Sequence, residues 1–144
     1  MNIQIPITFV ILAGLGQMLT AIVYPYMRHN ILYWFEDLKN LSPLNEAIAK
    51  TYGFYIQAIN FSFGLLTILL AQELLIPGKL SAAITGFISI YWIGRITFQL
   101  QSYSFKMLEN MKYYKLGIWS MNLLITYFAL IYTLIFINNL IGIL

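Results

Sequence analysis

The stretch that decides the fold is LLIPGKLSAAITGFISIYWIGRITFQLQ, Leu74 to Gln101. Pro77 and Gly78 end one long apolar run sharply, and a second apolar run begins at once. Two such runs joined by so tight a turn predict an antiparallel pair of helices. The second run is long enough to cross a bilayer, yet it contains an arginine, Arg95.

The composition of the whole chain is that of a membrane protein. Of its 144 residues, 60% are hydrophobic and 9% are charged, whereas a soluble domain carries about 25% charged residues. We therefore predict one domain, residues 1–144, that lies within a membrane and leaves no room for a soluble enzyme beside it.

A membrane span needs about 20 apolar residues, and four stretches satisfy this requirement. We predict an all-α polytopic membrane protein, an up-down bundle of four transmembrane helices. Apolar residues at helical spacing between the first two spans predict a short interfacial amphipathic helix, either a membrane-hugging connector or a helix that docks a partner. The predicted spans are residues 5–27, 53–76, 80–101 and 116–141, and the interfacial helix is residues 30–41.

The residues that follow the interfacial helix predict a new helix start. Ser42 is a good N-cap, and Pro43 suits the first helical position, where its missing N–H costs nothing. The helix that begins there can run unbroken into the second span, with Gly53 as a bend.

The distribution of basic residues predicts the orientation in the membrane. The segments after the first and third spans hold six basic residues, whereas the opposite side holds only Lys79. This bias predicts a cytoplasmic (inner) membrane protein with both termini on the non-cytoplasmic side. The six residues are Arg28, Lys39, Lys50, Lys106, Lys112 and Lys115.

Arg95 needs an explanation because a charge inside a bilayer is costly. Glu73, the only acid inside a span, lies about 20 Å from Arg95 along the helix axis, which is too far for a direct ion pair. Every span nevertheless places polar residues near the depth of Arg95. We call this set the polar layer: Thr20, Tyr24, Gln57, Asn60, Arg95, Gln99 and Asn122.

The polar layer has three interpretations. Its amides and hydroxyls can satisfy one another and hold the bundle together, or Arg95 can extend its side chain to the cytoplasmic surface. In the third interpretation, Arg95 faces inward and binds an anion, such as a lipid phosphate or a carboxylate substrate. Glu36 or Asp37 could also fold back onto Arg95, which would give a closed ion pair without a ligand.

Three stretches together resemble a family of small bacterial four-helix membrane proteins. They are LSPLN before the second span, INFSFGLLTI within it and YWIGRITFQ in the third span. The family pattern Trp-x-x-Arg-x-x-x-Gln is matched by Trp92, Arg95 and Gln99, and the similarity extends from Leu41 to about Phe136.

This resemblance implies the fold and a bacterial origin, and it draws attention to Arg95. It implies no activity, because the family has none assigned. Its members often have a histidine early in the fourth span, where this chain has Trp119. That departure argues further against a haem or metal role.

Most chemistry is disfavoured by the residue types. There is no cysteine, and His29 is the only histidine, so we predict no cofactor and no metal site. General acid–base catalysis uses a histidine or a carboxylate, and the polar layer contains neither. We therefore predict no catalytic residue and no enzyme, although an enzyme acting on lipid or quinone is the third-ranked alternative. The small net charge of +3 suits anionic lipid headgroups better than nucleic acid.

Two functions remain. The first is an accessory or structural subunit of a larger membrane complex, which contacts lipids and other subunits or forms a homo-oligomer. The alternative is an oligomeric binder or transporter of an anionic lipid or amphiphile. The residues predicted for its site are Arg95, Gln99, Asn60, Gln57, Asn122 and Tyr24.

Overall fold

The computed structural model describes the backbone of residues 4–30, 32–102 and 112–144, and the side chains of 4–30, 32–101 and 116–144. These residues form helices and no strand. Four of the helices are long and apolar enough to cross a membrane, which confirms the predicted all-α polytopic class. The helices are α1 (Ile7–Asn30), α2 (Trp34–Leu38), α3 (Pro43–Leu69), α4 (Ala71–Leu75), α5 (Lys79–Ser102) and α6 (Lys112–Ile143).

The segment between the first two spans differs from the prediction. The interfacial helix expected at 30–41 is a single short helix, α2, because α1 continues to Asn30 and Tyr33 adopts the left-handed conformation with φ of 48°. Leu38 is the residue of α2 that is buried. The connection between α1 and α3 is therefore a short segment that contains one helix of five residues.

The second span begins as expected and ends differently. The Ser42 hydroxyl accepts a hydrogen bond from the Asn45 backbone N–H at 3.4 Å, and Pro43 is the first residue of α3. The helix runs unbroken through Gly53. It stops at Leu69, because Leu70 has φ of −109° and ψ of 23°, and α4 then completes the predicted span.

The chain divides into two compact units, and the predicted single domain stays a prediction. The N-terminal unit is Gly14–Leu69. In it, α1 and α3 cross at Gly14 and Gly64, where a Cβ added to Gly64 would lie 2.6 Å from the Gly14 carbonyl oxygen. So close an approach of two helix backbones requires residues without side chains.

The C-terminal unit is Met1–Ala13 with Leu70–Leu144, and the pairing of α5 with α6 forms its core. The Ser89 and Thr133 hydroxyls share a hydrogen bond of 2.6 Å. Gly86 lies against the ring of Phe136, where an added Cβ would meet ring carbons at 2.9 Å. The small residues Gly86 and Ser89 thus place one face of α5 against α6.

Candidate functional site

Arg95 is a partly buried residue of α5, about 10 Å along the axis from the helix end at Ser102. Within the described part of its own unit, Arg95 forms no hydrogen bond and no ion pair. An arginine carries five N–H donors and a permanent charge, and the described residues of this unit use none of its donors in a hydrogen bond.

Gln99 lies one turn after Arg95 and is 2% exposed. Its amide nitrogen donates a hydrogen bond of 2.5 Å to the side-chain oxygen of Asn122, which joins α5 to α6. Its own oxygen, Oε1, is buried and has no hydrogen-bond partner among the described residues. The structure thus brings together Gln99 and Asn122 of the predicted polar layer. Gln99 Oε1 remains without a donor among the described residues.

Trp92 lies one turn before Arg95 and is also 2% exposed. Its ring packs against Phe128 with the ring centroids 4.8 Å apart. The indole Nε1–H is buried and, among the described residues, lacks an acceptor. Trp92 was not among the residues predicted for the site, although its spacing from Arg95 was visible in the sequence.

These three residues share one face of α5. At 100° per residue, Trp92, Arg95 and Gln99 fall within an arc of about 60°. From the middle of α5 toward its C-terminal end, they present a hydrogen-bond donor, a cation and an acceptor. A buried polar group without a partner costs about 1–3 kcal/mol, and α5 carries two such groups among the described residues, one turn on either side of Arg95. We name this set the α5 polar face.

Two other residues of the predicted layer, Tyr24 and Gln57, contact a different arginine. Arg28 in the last turn of α1 is 8% exposed. Its Nη2 donates to the Gly53 carbonyl oxygen at 3.1 Å, and its guanidinium carbon lies 5.0 Å from the Tyr24 ring centroid and 4.5 Å from that of Trp34. No carboxylate of the described residues forms an ion pair with it.

Gln57 has a structural role beside Arg28. Pro25 lacks an N–H, so the Ala21 carbonyl one turn earlier loses its helical donor. With the Gln57 amide oriented to satisfy both ends, its nitrogen donates to Ala21 O at 3.2 Å. Its oxygen accepts from Arg28 Nη2 at 3.1 Å. The amide thereby closes the gap left by the proline and supplies a neutral partner for the charge.

Sequence reasoning missed this cluster because Arg28 was counted as a loop cation. The signal that could have found it is the spacing of its partners. Gly53 and Gln57 lie four residues apart on α3, and Tyr24 lies four residues before Arg28.

The remaining residues of the predicted polar layer, and the predicted partners of Arg95, are not shown in contact with Arg95. Asn60 is partly buried on α3, and the Thr20 hydroxyl donates to the Gln17 carbonyl at 2.7 Å. Glu36 and Asp37 are exposed on α2. Their pairing with Arg95 stays a prediction. The side chains of Lys106, Lys112 and Lys115, predicted to set the orientation, lie outside the described residues.

The described residues contain no group of three or more His, Cys, Asp or Glu that could hold a metal ion. Comparison with known proteins adds no second line of evidence: no family model, curated protein or solved structure matches this chain. The chain is an integral membrane protein by its four candidate spans. Its similarity to the family of small four-helix proteins stays a prediction.

Proposed function

We propose that this protein is a non-enzymatic membrane protein that binds an anionic lipid or amphiphile, with Arg95 as the charged centre. The observation that supports it is the α5 polar face, where Arg95 forms no ion pair within the described residues and lies between two buried polar atoms that have no hydrogen-bond partner among those residues. An anion would satisfy the arginine by charge-assisted hydrogen bonds, which are about twice as strong as neutral ones.

The depth of Arg95 fits a ligand of the membrane itself. A helix of 24 residues such as α5 is about 36 Å long, slightly longer than the hydrocarbon core of about 30 Å. The Cα atom of Arg95 therefore lies inside the hydrocarbon core near one boundary. Its long side chain can place the guanidinium group in the headgroup region. Lipid phosphates are the anions that are abundant at this level.

The test replaces Arg95 by Gln, which keeps a polar side chain and removes the charge. We expect R95Q to lose co-purifying anionic lipid in native mass spectrometry while its helical content stays unchanged. The matched control is K79Q, which removes an exposed cation from the first residue of α5. Undiminished lipid retention by R95Q, or an equal loss in K79Q, would refute an Arg95-centred site.

An ion pair between Arg95 and Glu36 or Asp37, without a ligand, makes a different prediction from lipid binding. If Glu36 or Asp37 neutralises Arg95, then E36Q or D37N should destabilise the protein about as much as R95Q does, because breaking a buried pair leaves an uncompensated charge. If Arg95 instead binds a lipid, both acid variants should retain the lipid and the stability of the parent protein.

The second candidate function is an accessory subunit of a larger membrane complex. It is favoured by the exposed apolar surface of α3. Of the most apolar part of this helix, 17% is buried, which is the smallest buried fraction among the four spans. That surface is available to lipid, to another subunit or to a second copy of the chain. Gentle extraction from the host membrane tests this function. Other polypeptides in fixed ratio would support a subunit, whereas a lipid-loaded particle of this chain alone would support the binder.

A further inference from the structure

We infer that α2 is a lid over Arg28 and that the negative charge of a membrane surface opens it. The lid begins at Tyr33, and the Trp34 ring fastens it to the Arg28 guanidinium. Because α2 connects the spans α1 and α3, it lies where the chain emerges from the membrane. All of these residues belong to the N-terminal unit, so the lid is independent of the anion site proposed at Arg95.

The helix α2 is held mainly by two side chains. Trp34 is partly buried and Leu38 is buried, whereas the other three residues of α2 are exposed. The Glu36 and Asp37 N–H groups donate to the Tyr33 carbonyl, so these backbone hydrogen bonds stay within the segment. An element with few buried side chains and local hydrogen bonds opens more readily than a packed helix.

The contact that fastens α2 is made by the Trp34 ring. Its centroid lies 4.5 Å from the guanidinium carbon of Arg28, and the negative face of an indole ring attracts a cation. Gly53 provides the space for both side chains, because an added Cβ there would lie 3.2 Å from the Trp34 ring and would collide with the Arg28 guanidinium. In the closed position Trp34 therefore covers a cation that has little contact with solvent.

The closed position strains the backbone at Tyr33. This residue has φ of 48° and ψ of 28°, the left-handed conformation, which is unfavourable for residues with a Cβ atom. Its side chain is 59% exposed, so burial does little to offset the strain. Opening at Tyr33 relieves the strain, and the closed position therefore depends on Trp34 and Leu38.

The lid and the residue beneath it carry opposite charges. Glu36 and Asp37 are exposed and form no ion pair among the described residues, and the segment stays negative even with Lys39 counted. Arg28 is held by neutral partners, and its Nε has no hydrogen-bond partner among the described residues. A membrane rich in anionic lipid therefore repels the lid and attracts the arginine, so both forces favour opening. In the open position lipid phosphates replace the Trp34 ring as partners of Arg28.

The experiment measures how often the lid opens. The chain has no cysteine, so L38C places a single thiol at a buried position of α2. The full chain is reconstituted in nanodiscs of phosphatidylcholine, with or without phosphatidylglycerol, and an uncharged maleimide labels the thiol. N40C, at an exposed position after α2, corrects for changes in thiol reactivity. We expect phosphatidylglycerol to raise the corrected labelling rate of L38C about fivefold, and added salt to diminish this effect.

Substitution of Trp34 tests the fastening contact. In the L38C chain, W34L should raise labelling in pure phosphatidylcholine about tenfold, because it removes the cation–π contact with a buried guanidinium. The matched control is Y52L, which removes an exposed aromatic ring from α3 and should leave the labelling rate unchanged. If W34L loses helical content, W34F replaces it, since its ring holds a cation less strongly and should give a smaller increase.

Two further variants of the L38C chain test the strained residue and the charge. Y33G adopts the left-handed conformation without strain, so it should slow labelling in pure phosphatidylcholine. E36Q combined with D37N removes the negative charges of the lid and should abolish most of the response to phosphatidylglycerol.

The results that contradict the lid differ from those that contradict its opening by membranes. Equal labelling rates in the Trp34 variants and Y52L, or no slowing in Y33G, would overturn the lid. An unchanged rate with phosphatidylglycerol, or a full response after E36Q and D37N, would overturn opening by surface charge. An equal effect of inorganic phosphate in pure phosphatidylcholine would overturn it as well, because a free anion would then be sufficient.

Discussion

At the scale of single residues, the two arginines show two ways to place a charge in an apolar protein. Arg28 is balanced by neutral groups: the Gly53 carbonyl, the Gln57 amide and two aromatic rings. It also lies at the C-terminal end of α1, where the helix dipole favours a cation. Arg95 lies within α5 and has no comparable set of partners in the described part of its unit. Arg28 therefore has a structural role in the N-terminal unit, whereas Arg95 is the arginine that the proposed function uses.

Gln57 provides the residue-scale test of this contrast. Q57L removes the hydrogen-bond partner of Ala21 O and one of the two partners of Arg28 Nη2, which keeps its bond to the Gly53 carbonyl. We expect it to lower the free energy of unfolding by about 1–3 kcal/mol, measured by denaturant titration in detergent. Q72L, at an exposed position of α4, should change stability by less than about 0.5 kcal/mol.

A double variant strengthens that test. If Gln57 stabilises the protein through Arg28, then R28M together with Q57L should cost clearly less than the sum of the two single changes, because the interaction is removed only once. Additive costs would mean that the two residues stabilise the N-terminal unit independently.

At the scale of helices, hydrophobic run lengths predicted the spans well, because a bilayer imposes a length of about 20 residues on each one. The breaks were harder to predict. Leu70 interrupts the second span without a Pro or Gly at the break, and the left-handed Tyr33 shortens the interfacial helix without a glycine. Such breaks depend on contacts distant in sequence, which a periodicity argument does not contain.

The crossing of α1 and α3 supplies the helix-scale prediction. An added Cβ at Gly64 would lie 2.6 Å from a backbone oxygen of Gly14, so the two helices must separate. We expect G64A to lower the free energy of unfolding by about 1–3 kcal/mol. The control is G94A on α5, where an added Cβ meets nothing within 4 Å. There alanine should be neutral or stabilising by up to about 1 kcal/mol. A destabilisation of G94A equal to that of G64A would argue against a crossing specific to Gly64.

At the scale of the whole molecule, composition was sufficient for the class of protein, and the sequence alone identified Arg95 as the residue to explain. The predicted layer could not be resolved further, because depth along a helix does not say which side chains meet. Gln99 and Asn122 do form a hydrogen bond, whereas Tyr24 and Gln57 contact Arg28. Trp92 joins the α5 polar face only because its indole N–H is buried without a hydrogen-bond partner among the described residues.

The orientation in the membrane is the prediction that concerns the whole molecule. The chain has no cysteine, so a single introduced cysteine reports its own side of the membrane. Asn40 is exposed between α2 and α3, and Gly78 lies in the turn before α5, where an added Cβ meets its nearest atom at 3.6 Å. The six-to-one bias of basic residues predicts that an impermeant maleimide labels G78C in intact cells and labels N40C only after lysis. Labelling of N40C from outside would invert the topology and place the α5 polar face in the outer leaflet. A lipid bound as proposed would then have to come from that leaflet.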